Sequence, residues 1–181
     1  ELVHGAPNDY VFKEGDKVSF DLDVFYDDIN LVTTRDSYNP GQIFTAFKGG
    51  PTNPTTFNAD MDMGSFVYDA MGVRWIYDMG KDQYELPGYM RPQDGRWNIF
   101  RKRSESHNTL AINPDEKPQY TVYTEAKVED YVSKPAGMKA VVNLSECLQA
   151  RAEYARRGFM LTENRTDLVI RDEFKVSKSS D

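Results

Sequence analysis

The sequence predicts an all-β fold, an antiparallel β-sandwich of many short strands. Three observations predict it. Strand-like segments recur at close spacing, turns containing Gly and Pro punctuate them, and helical periodicity is poor almost throughout. Aromatic residues make up 13% of the chain, led by 11 Tyr and 10 Phe, which favours strands or a sugar-binding surface.

Residues 17–26 read KVSFDLDVFY. Val18, Phe20, Leu22 and Val24 alternate with Lys17, Ser19, Asp21 and Asp23, the period of a half-buried strand. Residues 30–41 are polar, end at Pro40-Gly41, and are expected to be a loop. Residues 42–48 (QIFTAFK) are strand-like, and Gly49-Gly50-Pro51 stops them. Two short strands are expected over 65–70 and 73–78, joined by a tight hairpin turn at Met71-Gly72. Residues 81–95 are irregular, with Pro87, Gly88, Pro92 and Gly95. Strands are expected again over 96–103 and 109–112, before Pro114 and Pro118 force a loop. Residues 122–133, 139–144, 158–162 and 168–176 complete the set, and 146–157 is the one arguable helix, with a weak apolar face. The whole of 1–176 reads as one domain, and 177–181 as a frayed tail with no core residue.

The chain has 181 residues, 22 Lys+Arg against 29 Asp+Glu, and a net charge of −7. Such a length can bury a sizeable core without a disulfide or zinc framework. The acidic balance argues against a general nucleic-acid or anionic-membrane binder. No apolar run approaches the roughly 18 residues of a membrane span. The opening ELVHGAPNDY lacks the basic start and apolar stretch of a signal peptide, so the chain is expected either to be cytosolic or to have lost a leader. A single cysteine, Cys147, excludes an intrachain disulfide and reads as a small buried apolar residue. The sequons at Asn143 and Asn164 are common by chance.

Four features are able to carry chemistry. Asn58, Asp60 and Asp62 (NADMD, 58–62) share one face if the backbone is extended, and would bind a hard cation such as calcium. Alternatively their side chains cap their own loop. Asp78 ends a strand and shares a face with Arg74 and Ile76. It either lies buried and needs a cation or donors, or caps the Met79-Gly80 turn. Of the two histidines, His4 lies in a floppy N-terminus, whereas His107 precedes an apolar segment, a better place for a fixed imidazole. Residues 96–103 (RWNIFRKR) form a basic aromatic island in an acidic chain. They either grip an anionic sugar through Arg forks and Trp97, or form a solvated strand over the core.

The ordered set FKGG (47–50), NADMDMGSF (58–66), GVRWIYDMG (72–80) and RWNIFRKRSESHNTLAIN (96–113) resembles the C-terminal β-sandwich of the heparinase II/III-like polysaccharide lyases, over residues 43–128. The resemblance implies a sandwich behind an N-terminal α/α-toroid, with the active cleft between them. It implies cleavage of a uronic-acid polysaccharide, glycosaminoglycan or alginate-like, by β-elimination, and a bacterial, periplasmic or secreted location. It implies a divalent metal, zinc or calcium, held by Asp60, Asp78 and His107. There Asp60 stands where the family carries a histidine, which also brings magnesium and manganese into range. It places Asn58 at a histidine close to the chemistry; an amide donates a hydrogen bond but shuttles no proton. Tyr89, Arg101 and Arg103 are the expected substrate contacts. The toroid and the anionic polysaccharide are the implied partners, with no nucleic acid and no membrane insertion. Because of Asn58 and Asp60, a non-catalytic carbohydrate-binding or scaffolding sandwich is the alternative, and a sandwich interaction module without a sugar ligand is a third.

Overall fold

A computed structural model of the chain describes residues 20–52, 59–91, 95–115 and 117–177. These form two five-stranded antiparallel sheets. The first holds β1 (Asp23–Tyr26), β2 (Leu31–Arg35), β3 (Phe44–Lys48), β5 (Phe66–Ala70) and β6 (Val73–Ile76), in the order β1-β2-β3-β5-β6. The second holds β4 (Gly50–Pro51), β7 (Glu125–Lys134), β8 (Gly137–Asn143), β9 (Ala152–Leu161) and β10 (Leu168–Val176), in the order β10-β9-β8-β7-β4. The sandwich expected from the sequence is the fold observed.

The core lies between the sheets. Met138, Ala140 and Val142 of β8 point inward at every second position, as a half-buried strand requires. Phe47 of β3 stacks on Phe159 of β9 at 4.0 Å between ring centroids and 6° between planes, and Phe66 meets Phe159 edge-on. These rings join the two sheets at their centre. The β5–β6 turn forms where expected: Met71 (φ 53) and Gly72 (φ 73) both take the left-handed conformation that a two-residue hairpin of matching twist needs.

Four expectations are corrected. Residues 31–35 are a strand rather than a loop. Its inward positions are Val32 and Thr34, and Thr34 hides its polarity by donating to Asp23 Oδ1 at 2.5 Å, so the alternation reads as polar. The arguable helix over 146–157 gives way to turns and then to β9, which begins at Ala152. Small Ala152 and Ala155 and a buried Arg157 obscure its inward face. Residues 96–103 are not a strand. Three successive 3-10 turns (Arg96–Asn98, Phe100–Lys102, Ser104–Ser106) close their backbone bonds locally, for example Ile99 N to Arg96 O and Lys102 N to Ile99 O, and they turn Arg96 and Lys102 inward. Residues 109–112 likewise form no strand. His4, Asn58 and residues 17–19 and 178–181 lie outside the described residues.

Candidate functional site

One end of the first sheet gathers the polar residues of the sequence motifs. β3 ends there at Lys48, β5 begins there, and β6 runs out there towards Asp78. The 59–65 loop approaches from one side. Gly64 allows it to turn: its φ is +79, and a Cβ would sit 3.2 Å from Leu144 Cδ1. Lys48 O accepts from Gly64 N at 2.7 Å, and Lys48 N donates to Ser65 O at 3.1 Å, so loop and strand end are tied together.

The segment containing His107 arrives from the 3-10 turns and is fixed by its own sequence. Asn108 Nδ2 donates to Phe66 O at 3.0 Å and Tyr77 O at 2.9 Å, bridging β5 and the end of β6. The Thr109 hydroxyl donates to Met63 O and shares a hydrogen bond with the Tyr120 hydroxyl. From the second sheet, Arg157 Nη1 donates to Asn108 O at 2.8 Å and Gly64 O at 3.0 Å, while its other nitrogens grip Asp172 of β10 at 2.7 and 2.8 Å. The segment that carries the imidazole is therefore held from three directions.

His107 Nδ1 lies 2.6 Å from Asp78 Oδ2, and Asp78 Oδ1 also accepts from Gly80 N at 2.7 Å. Asp78 caps the turn and meets the histidine, but with its side chain 30% exposed it does not lie buried. Burial alone would lower the His107 pKa. The Asp78 hydrogen bond and the charges of Asp62, Asp78 and Asp60 outweigh burial and hold it above its ordinary value. The His107 bond, against burial, holds the Asp78 carboxyl below its own. His107 Nε2, Asp62 Oδ1 and Asp60 Oδ1 are buried with no hydrogen-bond partner among the described residues, although the Lys102 ammonium stands beside Asp60 Oδ1.

Asp60 meets a different cation. Lys102, only 2% exposed, places Nζ 2.7 Å from Asp60 Oδ1 and 4.3 Å over the Tyr89 ring. Burial raises the Asp60 carboxyl against the opposing effect of Lys102. Asp62 pairs with Lys48 at 2.8 Å, and Lys48, Asp62 and Asp78 line a cleft of about 200 Å³. Thus Asp78 and His107 come together, but Asp60 turns to Lys102. Among the described residues no group of three His, Cys, Asp or Glu side chains could hold a metal ion. The three expected ligands are therefore not gathered as one donor set. Each carboxylate has a protein cation, and an added ion at Asp60 would meet the buried Lys102 ammonium.

The expected substrate contacts are placed elsewhere. Tyr89 does not reach out on a loop. It is 1% exposed, lies under Lys102, and its carbonyl accepts from the buried Arg96 Nε at 3.0 Å. Arg101 Nη1 donates to Met79 O and Lys81 O at 2.8 and 3.0 Å. Arg103 grips Glu105 at 2.5 and 3.2 Å and also donates to Asp115 O. All three brace the loops around the site. Sequence reasoning missed Lys102, Asn108, Thr109 and Arg157. Asn108 and Thr109 stood inside a quoted motif and carried that signal. Lys102 was counted within a basic run, and nothing local marked Arg157.

The family model for the C-terminal domain of heparinase II/III-like proteins matches residues 23–181. The chain belongs to this family. The match runs well beyond the 43–128 that carried the resemblance. The fold is that of three solved structures. One is a heparinase III (17% identity, TM-score 0.66, 85% of this chain and 22% of that one). Another is the heparan sulfate lyase HepC from Pedobacter heparinus (16%, 0.69, 87% and 23%). The third is a heparinase III that is the BT4657 gene product (19%, 0.70, 89% and 23%). This heparinase II/III-like chain thus spans less than a quarter of the length of those proteins. No curated protein matches it. Among the described residues no helix is long and apolar enough to cross a membrane.

Proposed function

We propose that this chain is the sandwich domain of a polysaccharide lyase that cleaves a uronic-acid polymer, glycosaminoglycan or alginate-like, by β-elimination, exported to the periplasm or medium. The observation that carries the reading is the convergence of the family motifs on one polar cluster at one end of a sheet. The C5 hydrogen of a uronate is a poor acid. It leaves only if charge building on the neighbouring C6 carboxylate is met by fixed positive groups, while a base takes the proton and an acid protonates the departing O4. A sandwich wall bearing Lys48, held in place by Asp62, supplies such fixed charge, with His107 fixed behind it by Asp78. Asn58, as an amide, would donate a hydrogen bond to the carboxylate. The base and acid would come from a toroid domain across the cleft. No step here passes through a metal.

The test is to make a protein that joins this sandwich to its toroid and follow the absorbance of the unsaturated uronate product over a panel of polyuronides. Product from at least one polymer is expected, with a lower kcat/KM for Lys48→Met. A folded protein that yields product from none of them overturns the reading.

A further inference from the structure

At the end of the first sheet opposite His107, an open cleft of about 590 Å³ is lined by Arg35, Tyr38, Gln42, Phe44, Asp69 and Arg74, among others. Arg35 closes β2. Its backbone is pinned on both sides, N to Leu22 O at 3.1 Å and O to Arg165 Nη1 at 2.8 Å. Its guanidinium carbon lies 4.4 Å from the centre of the Tyr38 ring and 4.9 Å from that of Phe44. Between two aromatic faces a guanidinium keeps its charge but loses the hydration of those faces, leaving its edge for hydrogen bonding. That edge is unused. Among the described residues no carboxylate or carbonyl accepts from it, and Nε is buried without a partner.

The rest of the lining suits an anion. Arg74 is held by Asp69 through two bonds of 2.6 and 2.8 Å, and Tyr38 is 50% exposed. Two arginines against one aspartate leave the cleft positive in a chain of net charge −7. Asp36, next to Arg35, does not line it and adds instead to the field that favours the Arg165 charge.

We propose that this cleft is a second, non-catalytic subsite for an anionic polysaccharide. The terminal nitrogens of the Arg35 guanidinium, which lines the cleft, take a sulfate or carboxylate, and Tyr38 stacks on the sugar ring. The choice of a polymer rests on the proposed lyase reading. From Phe44 to Lys48, β3 spans about 13 Å at about 3.3 Å per residue, so one chain laid along the sheet would touch both ends.

The experiment measures binding by calorimetry to the full 181-residue chain, using dextran sulfate (sulfate only), an alginate oligosaccharide (carboxylate only) and neutral dextran. The wild type is expected to bind at least one anionic probe, less tightly as salt rises, and not the neutral one. Which probe binds tells sulfate from carboxylate. Arg35→Gln should weaken that binding about tenfold or more, the loss of a charge-assisted hydrogen bond, with an unchanged melting temperature. Tyr38→Ala should weaken it less. Equal binding by wild type and Arg35→Gln overturns the proposal, as does no binding of either anionic probe. Loss at Arg35 in a protein that cleaves no polyuronide removes the lyase reading and keeps this site. Cleavage with no effect of Arg35→Gln does the reverse.

Discussion

At position 102 a lysine ammonium sits almost wholly inside the protein, 2.7 Å from Asp60. Two charges are rarely buried for their own attraction, because removing both from water costs several kcal/mol each. What makes the pair necessary is that each partner is costly alone. Lys102→Met leaves the Asp60 carboxylate, itself 23% exposed, beside Asp62 with no cation. Breaking a fully buried pair costs about 3–5 kcal/mol, and the partial exposure of Asp60 reduces this to about 2–4 kcal/mol. The double variant Asp60→Asn/Lys102→Met removes both charges and should recover most of that loss. Urea unfolding of the four proteins of this cycle checks the expectation. Equal stability of the single and double variants would show that Lys102 matters for its packing on Tyr89 and not for its charge.

The strands are held to one another by a second charged staple, between elements that the sequence separates widely. Asp23 of β1 is fully buried. It accepts from Arg165 at 2.6 and 2.8 Å, from Ser133 at 2.6 Å and from Thr34 at 2.5 Å. Arg165, in the turn between β9 and β10, also caps Lys134 O and Pro135 O of the β7–β8 turn and Arg35 O of β2. One side chain thus closes an edge of both sheets. Burial would raise the Asp23 carboxyl, but Arg165, Ser133 and Thr34 outweigh it and hold it below its ordinary value. Stability from this group is therefore complete above the unfolded carboxylate value of about 3.9 and is lost as the pH falls through the folded value. Arg165→Ala is expected to cost about 3–5 kcal/mol near neutral pH. Towards about pH 3 Asp23 protonates more readily in the variant than in the wild type, so the gap should narrow. Urea midpoints at the two pH values measure this, and a constant gap would mean that Arg165 acts through the carbonyls alone. None of it was legible beforehand. Asp23 read as the wet face of a strand, and only the meeting of β2, β7 and the β9–β10 turn makes it dry. Strands rich in large apolar residues, such as β3 (with Thr45 buried beside Phe47), β5 and β8, were legible within a residue or two. Those whose inward face carries Thr34 or Arg157 were not.

Across the whole molecule, what the sequence showed was a fold class and a family, and what it concealed was the pairing of charges. A strand's alternation is local, whereas the choice of Lys102 over a second ligand for Asp60 is settled only when the 3-10 turns have been laid against the 59–65 loop. That choice has a consequence for the stability of the domain. A fold closed by a bound ion loses the ion's binding energy when it is removed. This fold is closed by the Phe47–Phe159 stack, by Arg157 on Asp172 and by Asp23 on Arg165, none of which uses an ion. An ion held at about a hundred times its Kd would add about 2.7 kcal/mol, which is about 5–10 °C of Tm in a domain of this size. Dialysis against EDTA is accordingly expected to leave the Tm of the wild type unchanged, with less than one equivalent of zinc or calcium found by elemental analysis beforehand. A fall of several degrees, reversed by one of these ions, would show that Asp60 exchanges Lys102 for metal. In that case His107→Ala should abolish the response to the ion.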